Sequence, residues 1–139
     1  MTRPDADTAP RAPTIPGPHP DTRKPKLALP PGACDCHAHV FGPQQRFPYA
    51  PNAGYIPPDA LPADYVRMLR TLGCERAVLV QPSVYATDNS AMLEAMRSGI
   101  FAFRGVAVVD EDISERELEA MHRAGVRGVR INLASATPG

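Results

Sequence analysis

The chain has 139 residues, with 15 basic and 15 acidic side chains and therefore no net charge when its histidines are neutral. This balance gives no electrostatic reason to expect binding to nucleic acid or to an anionic membrane, and no apolar run approaches the roughly 18–20 residues of a membrane span. The N-terminus lacks the basic-then-apolar pattern of a secretory signal, and the three cysteines form an odd set. We therefore expect a cytoplasmic protein that has neither nucleic acid nor membrane as a partner.

Residues 1–31 are rich in proline and nearly free of large apolar side chains. Such a segment cannot bury enough surface to offset the entropy lost on ordering, so its composition predicts a disordered or polyproline-like tail. From residue 32 onward apolar runs appear, and we expect one folded unit over residues 32–139.

The first predicted strand covers residues 33–39 and ends in the sequence His-Ala-His. Because side chains alternate between the two faces of a strand, Asp35, His37 and His39 are expected to share one face. Cys34, Cys36 and Ala38 are then expected to pack beneath covering helices. Two imidazoles on one face can converge on a metal ion or on an anionic substrate.

A long loop follows over residues 41–62, and its length is typical of functional loops. Helical spacing of apolar residues then predicts helices over 63–72 and 91–97 and a third that begins after Ser114, where Glu117 completes a capping box. Residues 87–89 offer capping side chains to the second helix. Continuous apolar runs predict further strands over 76–81, 103–109 and 126–133.

Strands that alternate with helices predict a parallel α/β sheet, either doubly wound or the start of a (β/α)8 barrel. No glycine-rich phosphate fingerprint follows any strand, which disfavours the dinucleotide-binding version. Polar residues instead cluster where the strands end, and this is where barrels carry their active sites. The cluster comprises His37, His39, Gln81, Ser83, Asp110, Arg130 and Asn132.

The run from Cys34 to Pro43 resembles the first strand of the amidohydrolase superfamily. More narrowly, it is similar to the branch of 2-pyrone-4,6-dicarboxylate lactonases and muconolactone-type hydrolases. Further stretches fit the same branch in order: residues 47–49 with 55–57, 80–83, 87–89 and 128–132.

The resemblance implies a truncated (β/α)8 barrel, β1-α1-β2-α2-β3-α3-β4, from a hydrolase that opens a small carboxylated lactone of aromatic-compound catabolism. It implies that His37 and His39 polarise the lactone carbonyl, either directly or as ligands of a divalent metal such as zinc or manganese. The branch also resembles a metal-independent variant, so both alternatives stay open. Substrate-binding roles fall on Tyr55, Ser83, Arg130 and Asn132.

Two departures from the family pattern limit what this chain is expected to do. The dicarboxylate-specific members carry a further basic residue soon after the fourth strand, where this chain has Ala134 to Thr137. A complete barrel needs about 250 residues, so the later strands, with a third histidine and the general-base aspartate, are missing. We therefore expect a fragment that is inactive alone. The alternatives are a metal-dependent decarboxylase of the same superfamily, or a non-catalytic half-barrel that forms a homodimer.

Overall fold

Within residues 12–132, which the computed structural model describes, strands and helices alternate along the chain. The elements are β1 Cys34–Ala38, α1 Pro62–Leu72, β2 Arg76–Val80, a 3₁₀ turn Ser83–Tyr85, α2 Ser90–Arg97, β3 Ala102–Ala107, α3 Glu115–Arg123 and β4 Val126–Val129. Each predicted strand and helix is confirmed, although β3 and β4 are shorter than expected. The predicted end of the fourth strand, Leu133, lies outside the described residues.

The four strands form one parallel sheet in the order β1-β2-β3-β4. Each strand therefore lies beside the one that precedes it in the chain, and the order never reverses. A doubly wound sheet requires such a reversal, whereas a barrel is built by continued addition on one side. The structure confirms the expected N-terminal portion of a (β/α)8 barrel and excludes the doubly wound alternative.

The hydrophobic core lies between the sheet and the helices. Ala77 and Leu79 of β2 are buried in it, and Val66 and Leu69 of α1 cover them. The remaining buried members of this cluster are Val40, Met92, Ala95, Phe103, Ala107 and Val126. The opposite face of the sheet is more open. Arg104 of β3, which pairs with Val78 of β2, is exposed there. In a closed barrel this open face lines the interior.

Helix α1 illustrates why these segments fold locally as they do. It begins with Pro62, whose fixed φ suits the first helical turn, and ends at Gly73 in the left-handed region with φ 88°. The Gly73 N–H bonds the carbonyls of Leu69 and Arg70, which a helix end would otherwise leave unpaired.

The prediction of which β1 side chains share a face is wrong, because this strand contains a bulge. Asp35 lies opposite Ala77 and Ala38 opposite Leu79, so three residue steps on β1 match two on β2. Asp35 therefore faces the helices, as Ala38 does, and does not share a face with His37 and His39. Cys34 and Cys36 were both expected beneath the helices, but Cys34 lies opposite the exposed Arg76 and Cys36 is exposed. The cause is local: the Asp35 carboxylate accepts the His37 N–H at 3.2 Å and interrupts the regular ladder.

The proline-rich segment before β1 contacts the loop that follows β1. Ile15 N–H bonds the Ile56 carbonyl at 3.2 Å, and Ile56 N–H bonds the Pro13 carbonyl at 2.8 Å. Composition alone gives no sign of this contact, and the division of the chain at residue 31 stays a prediction. Among residues 12–132, no helix is long and apolar enough to cross a membrane.

Candidate functional site at the carboxyl ends of β1, β2 and β4

The two predicted histidines lie together at the end of β1, on the open side of the sheet. Their ring centroids are 5.3 Å apart and the rings meet nearly edge to face, at 76°. His37 is exposed, whereas His39 is half-buried. His39 directly follows β1, between Ala38 and the core residue Val40.

His39 is fixed by a hydrogen bond to the end of the neighbouring strand. Its Nδ1 lies 2.7 Å from the carbonyl oxygen of Val80. A carbonyl only accepts, so Nδ1 carries the proton, and Nε2 of the neutral ring keeps a free lone pair. Burial lowers the pKa of His39, the hydrogen bond to Val80 opposes this effect, and the nearby His37 and Arg130 act in the same direction as burial. His39 is therefore a neutral imidazole suited to accept a proton or to bind a metal ion.

Arg130 reaches the same strand end from the other side. The Arg130 backbone N–H bonds the Ala107 carbonyl at 2.7 Å, which ties it to β3 directly after β4 ends. Its guanidinium donates to the carbonyl of Gln81 at 2.9 Å. Val80 and Gln81 are consecutive, so one imidazole and one guanidinium are held on adjacent carbonyls at the carboxyl end of β2. The structure thus places His37, His39 and Arg130 at neighbouring strand ends, and the site roles assigned to them stay predictions.

The other predicted substrate-binding residues are less closely associated with this group. Tyr55 packs, partly buried, against a second apolar cluster in the loops, and Ser83 is exposed at the start of the 3₁₀ turn. Among residues 12–132, no hydrogen bond or ring contact joins either of them to the two histidines or to Arg130. Asn132 is half-buried, but β4 ends at Val129, so the strand alternation that predicted a common face for Arg130 and Asn132 does not reach them.

Two buried amides shape the loop after β2, and the sequence reasoning did not assign them these roles. Gln81 is fully buried and its Nε2 donates to the carbonyls of Ala86 and Asp88, at 3.2 and 2.8 Å. Of the three residues predicted to offer caps to α2, Asp88 accepts the Ser90 N–H at 3.1 Å, whereas the Asn89 side chain makes no cap bond. It instead donates to the Val108 carbonyl and accepts the Val108 N–H, at 2.8 and 3.1 Å. Both side-chain amides hold the loop after β2, whose Gln81 carbonyl accepts the hydrogen bond from Arg130.

The loop after β1 is tied to the loop after β2 through Tyr85. The Gly42 N–H donates to the Tyr85 hydroxyl at 2.8 Å, and the Ala50 N–H donates to the Val84 carbonyl at 2.7 Å. Gly42 has φ 84°, and a Cβ at this position would overlap the Asp59 carboxylate, so only glycine fits. Burial raises the pKa of Tyr85, which keeps its hydroxyl neutral. The two loops therefore form one unit beside the histidines.

A cavity of about 610 Å³ borders His39 on its other side. Its walls come from residues 17–20 of the proline-rich segment and from α1 residues such as Tyr65 and Arg67. Arg67 is paired with Asp64, so this cavity offers a substrate anion no unpaired guanidinium of its own. The strand-end group of His37, His39 and Arg130 is chemically better suited to a carboxylated substrate.

The donor set at the strand ends fits part of a metal site. His39 presents a free Nε2, and His37 lies beside it. Among residues 12–132 no cluster of three or more histidine, cysteine, aspartate or glutamate side chains is arranged to hold an ion. Two imidazoles supply fewer than the three protein ligands of a catalytic zinc site, so any further ligand must come from outside these residues.

The sequence of this chain matches a known protein family and several known proteins. The amidohydrolase family model matches residues 34–136. A 2-pyrone-4,6-dicarboxylate hydrolase from Comamonas testosteroni is 48% identical over 109 residues, which are 78% of this chain and 36% of that protein. A 4-sulfomuconolactone hydrolase from Hydrogenophaga intermedia is 36% identical over 105 residues, covering 76% of this chain and 35% of that protein.

A solved structure agrees with these relatives. The crystal structure of a probable 2-pyrone-4,6-dicarboxylic acid hydrolase from Acinetobacter baumannii, with citric acid bound, superposes with a TM-score of 0.71 at 34% identity. The match covers 78% of this chain and 40% of that one. The chain thus spans little more than a third of the length of the curated relatives it matches. The family match covers more than half of this sequence, and the chain belongs to the amidohydrolase family.

Proposed function

We propose that this chain supplies the N-terminal part of the active site of a lactonase, which opens a small carboxylated lactone by adding water. The observation that carries the proposal is the pairing of His39 and Arg130 on the consecutive carbonyls of Val80 and Gln81. This arrangement sets a neutral imidazole and a guanidinium on either side of the carboxyl end of β2, where barrels place their chemistry. The names of the relatives support the substrate class.

Each residue of the group has a role that follows from its chemistry. Arg130 holds the carboxylate of the substrate, because a guanidinium binds a carboxylate in a bidentate manner. The lactone carbonyl lies toward His37 and His39. Tyr55, Ser83 and Asn132 border the substrate from the loops and from the end of β4. In the reaction a water oxygen bonds the carbonyl carbon, the ring C–O bond breaks, and the freed alkoxide takes a proton.

The state of His39 decides how it assists this reaction. Since Nδ1–H is used by Val80, the neutral ring has no second N–H to give to a lactone carbonyl. Only the imidazolium donates from Nε2, and burial opposes that form. We therefore assign His39 the part of acceptor or metal ligand, and leave direct donation to the carbonyl to His37. The general base that the family resemblance implies lies on a strand later than the four described.

A divalent zinc or manganese ion, if bound by His37 and His39, would lower the pKa of a water molecule and polarise the carbonyl. We further propose a cytoplasmic location, which the free thiols of Cys34, Cys36 and Cys74 support.

The proposal is tested in a chimaera in which residues 34–132 of this chain replace the matching part of the Comamonas hydrolase. We expect His39→Asn to lower kcat by roughly 10²–10⁴-fold, the range of a lost catalytic group. Arg130→Lys is expected to raise KM about tenfold or more with a smaller change in kcat, because a lysine cannot bind a carboxylate in a bidentate manner. His122→Asn, on the exposed face of α3, is the matched control. Turnover by His39→Asn equal to that of the parent chimaera would refute the assignment.

A second candidate is a homodimer of half-barrels that binds a ligand without turnover. Among the described strands β1 and β4 each pair on one side only, and Val129 and Ile131 near the β4 edge are 52% and 80% exposed. Two copies joined edge to edge would supply eight strands. Light scattering of the 139-residue chain tests this, since a monodisperse monomer would exclude it.

A further inference from the structure

The bulge in β1 places two cysteine side chains together outside the proposed active-site roles. Cys34 lies opposite Arg76 in the register, on the face away from the helices, and the bulge turns Cys36 out to solvent. The Cys34 Sγ donates to the Asp35 carbonyl at 3.5 Å, and the Cys36 Sγ donates to the Cys34 carbonyl at 3.6 Å. Partial burial, and next the adjacent Cys36 thiol, raise the pKa of Cys34. The two thiols are therefore neighbours on the face of β1 away from the helices, where Cys36 is exposed and Cys34 is partly exposed.

The number of donors limits what such a pair can bind. Among residues 12–132 no third histidine, cysteine or carboxylate joins a ligand cluster here. Zinc in proteins takes three or four protein ligands, which this pair does not supply. An atom that bonds both thiolates on the same side of itself fits this pair, because the two thiols are adjacent. An ion that binds two thiolates on opposite sides of itself fits poorly.

We propose that Cys34 and Cys36 form a dithiol site for a monosubstituted trivalent arsenical. The reaction is a condensation: R–As=O and two thiols give R–As(S–Cys)2 and one water molecule. Two As–S bonds form, the As=O bond is lost, and both thiol protons leave in the water. Arsenic stays trivalent and no oxidant or reductant is needed.

The site borders the candidate active site because Cys36 directly precedes His37. A substituent on the captured arsenic would lie beside the exposed His37 ring. Capture is therefore expected to alter the surroundings of His37, while His122 on α3 is separated from β1 by two strands and stays unaffected.

The test uses phenylarsine oxide and the intact 139-residue chain, with the adduct followed by intact-protein mass spectrometry. We expect one phenylarsenic group per chain, formed with loss of one water. Cys34→Ser and Cys36→Ser are each expected to weaken binding at least tenfold, since a single thiol forms only a labile bond. Cys74→Ser is the matched control, because Cys74 precedes β2 and, among the described residues, no hydrogen bond joins it to Cys34 or Cys36. Equal binding by the Cys36→Ser variant, or loss of binding in Cys74→Ser, would overturn the site.

A second measurement separates capture on the folded strand from capture by an unfolded chain. Imidazole resonances of the chain are recorded by NMR before and after one equivalent of phenylarsine oxide. The folded site predicts a shift of the His37 signals and none of the His122 signals. Unchanged His37 signals in a chain that carries the adduct would show that the thiols do not sit beside His37 and would refute the geometry.

Discussion

Helices α1 and α3 are stabilised in opposite ways. Helix α1 has no side-chain cap at its N-terminus, where Leu61 stands, but it buries Val66 and Leu69 against the sheet. Helix α3 has a complete capping box between Ser114 and Glu117, yet none of its residues is buried. Within the same fold, then, burial against the sheet contributes most to α1, whereas α3 combines a local capping box with the partial packing of Met121.

This difference follows the position of each helix in the sheet. Helix α1 packs over the strands β1 and β2, which form the main core with β3, whereas α3 lies beside the edge strand β4. Leu118 of α3 and Val129 of β4 are exposed, at 40% and 52%. In a closed barrel the next strand and helix would cover this edge. The sequence therefore specifies α3 mainly through local contacts, and among the described residues this helix stays largely exposed.

The largest expected effect is on the free energy of unfolding when a core leucine is shortened. Leu69→Ala removes a side chain with no exposed area and should cost about 2–5 kcal/mol, the usual range for a buried leucine. Leu118→Ala is the matched control on α3, and should cost less than about 0.5 kcal/mol, the usual range for surface sites. Urea unfolding monitored by circular dichroism measures both. Similar losses in the two variants would contradict the contrast between the helices.

An intermediate effect is expected at Asn89, which joins the α2 side of the core to the end of β3. Asn89→Ala leaves the Val108 N–H and carbonyl without their side-chain partners, and a buried unsatisfied group costs about 1–3 kcal/mol. Asn52→Ala, at an exposed loop position, is the control. Faster amide exchange at Val108 in the Asn89→Ala variant alone would confirm that the Asn89 side chain holds the Val108 backbone. An unchanged exchange rate at Val108 would rule this out.

Within residues 12–132, hydrophobic spacing was sufficient to predict the four strands and three α-helices but not the 3₁₀ turn, because burial against a sheet requires the periods that the sequence shows. The capping box of α3 was predicted too, since both of its partners lie three residues apart and need nothing from the rest of the fold. Such features are local. They survive even where, as in α3, no residue is fully buried and Met121 packs only partly against the core.

Features that depend on a choice between local and distant partners were not predicted. Asn89 has the composition of a helix cap, yet bonds Val108, 19 residues away. Asp35 was placed by strand alternation, whereas its carboxylate takes the His37 N–H and creates the bulge. An aspartate two residues before a strand N–H is a known competitor for that N–H, so the signal was present. The Val80 bond of His39 had no signal, because it depends on sheet register.

The smallest expected effect is a pH dependence confined to α3. Hydrogen bonds from the Ser114 side chain and backbone lower the pKa of Glu117 below its ordinary value of 4.5. The folded state thus favours the charged carboxylate, so the capping contribution is complete above that ordinary value and is lost as the pH falls through the lowered one. Amide exchange in α3 should therefore accelerate in this acid range relative to exchange in α1. Glu117→Gln keeps the side-chain shape but does not titrate, and should abolish the difference. If the α3 amides of the Glu117→Gln variant still respond to acid as the parent does, another carboxylate controls the helix, and the local capping box is not what distinguishes α3 from α1.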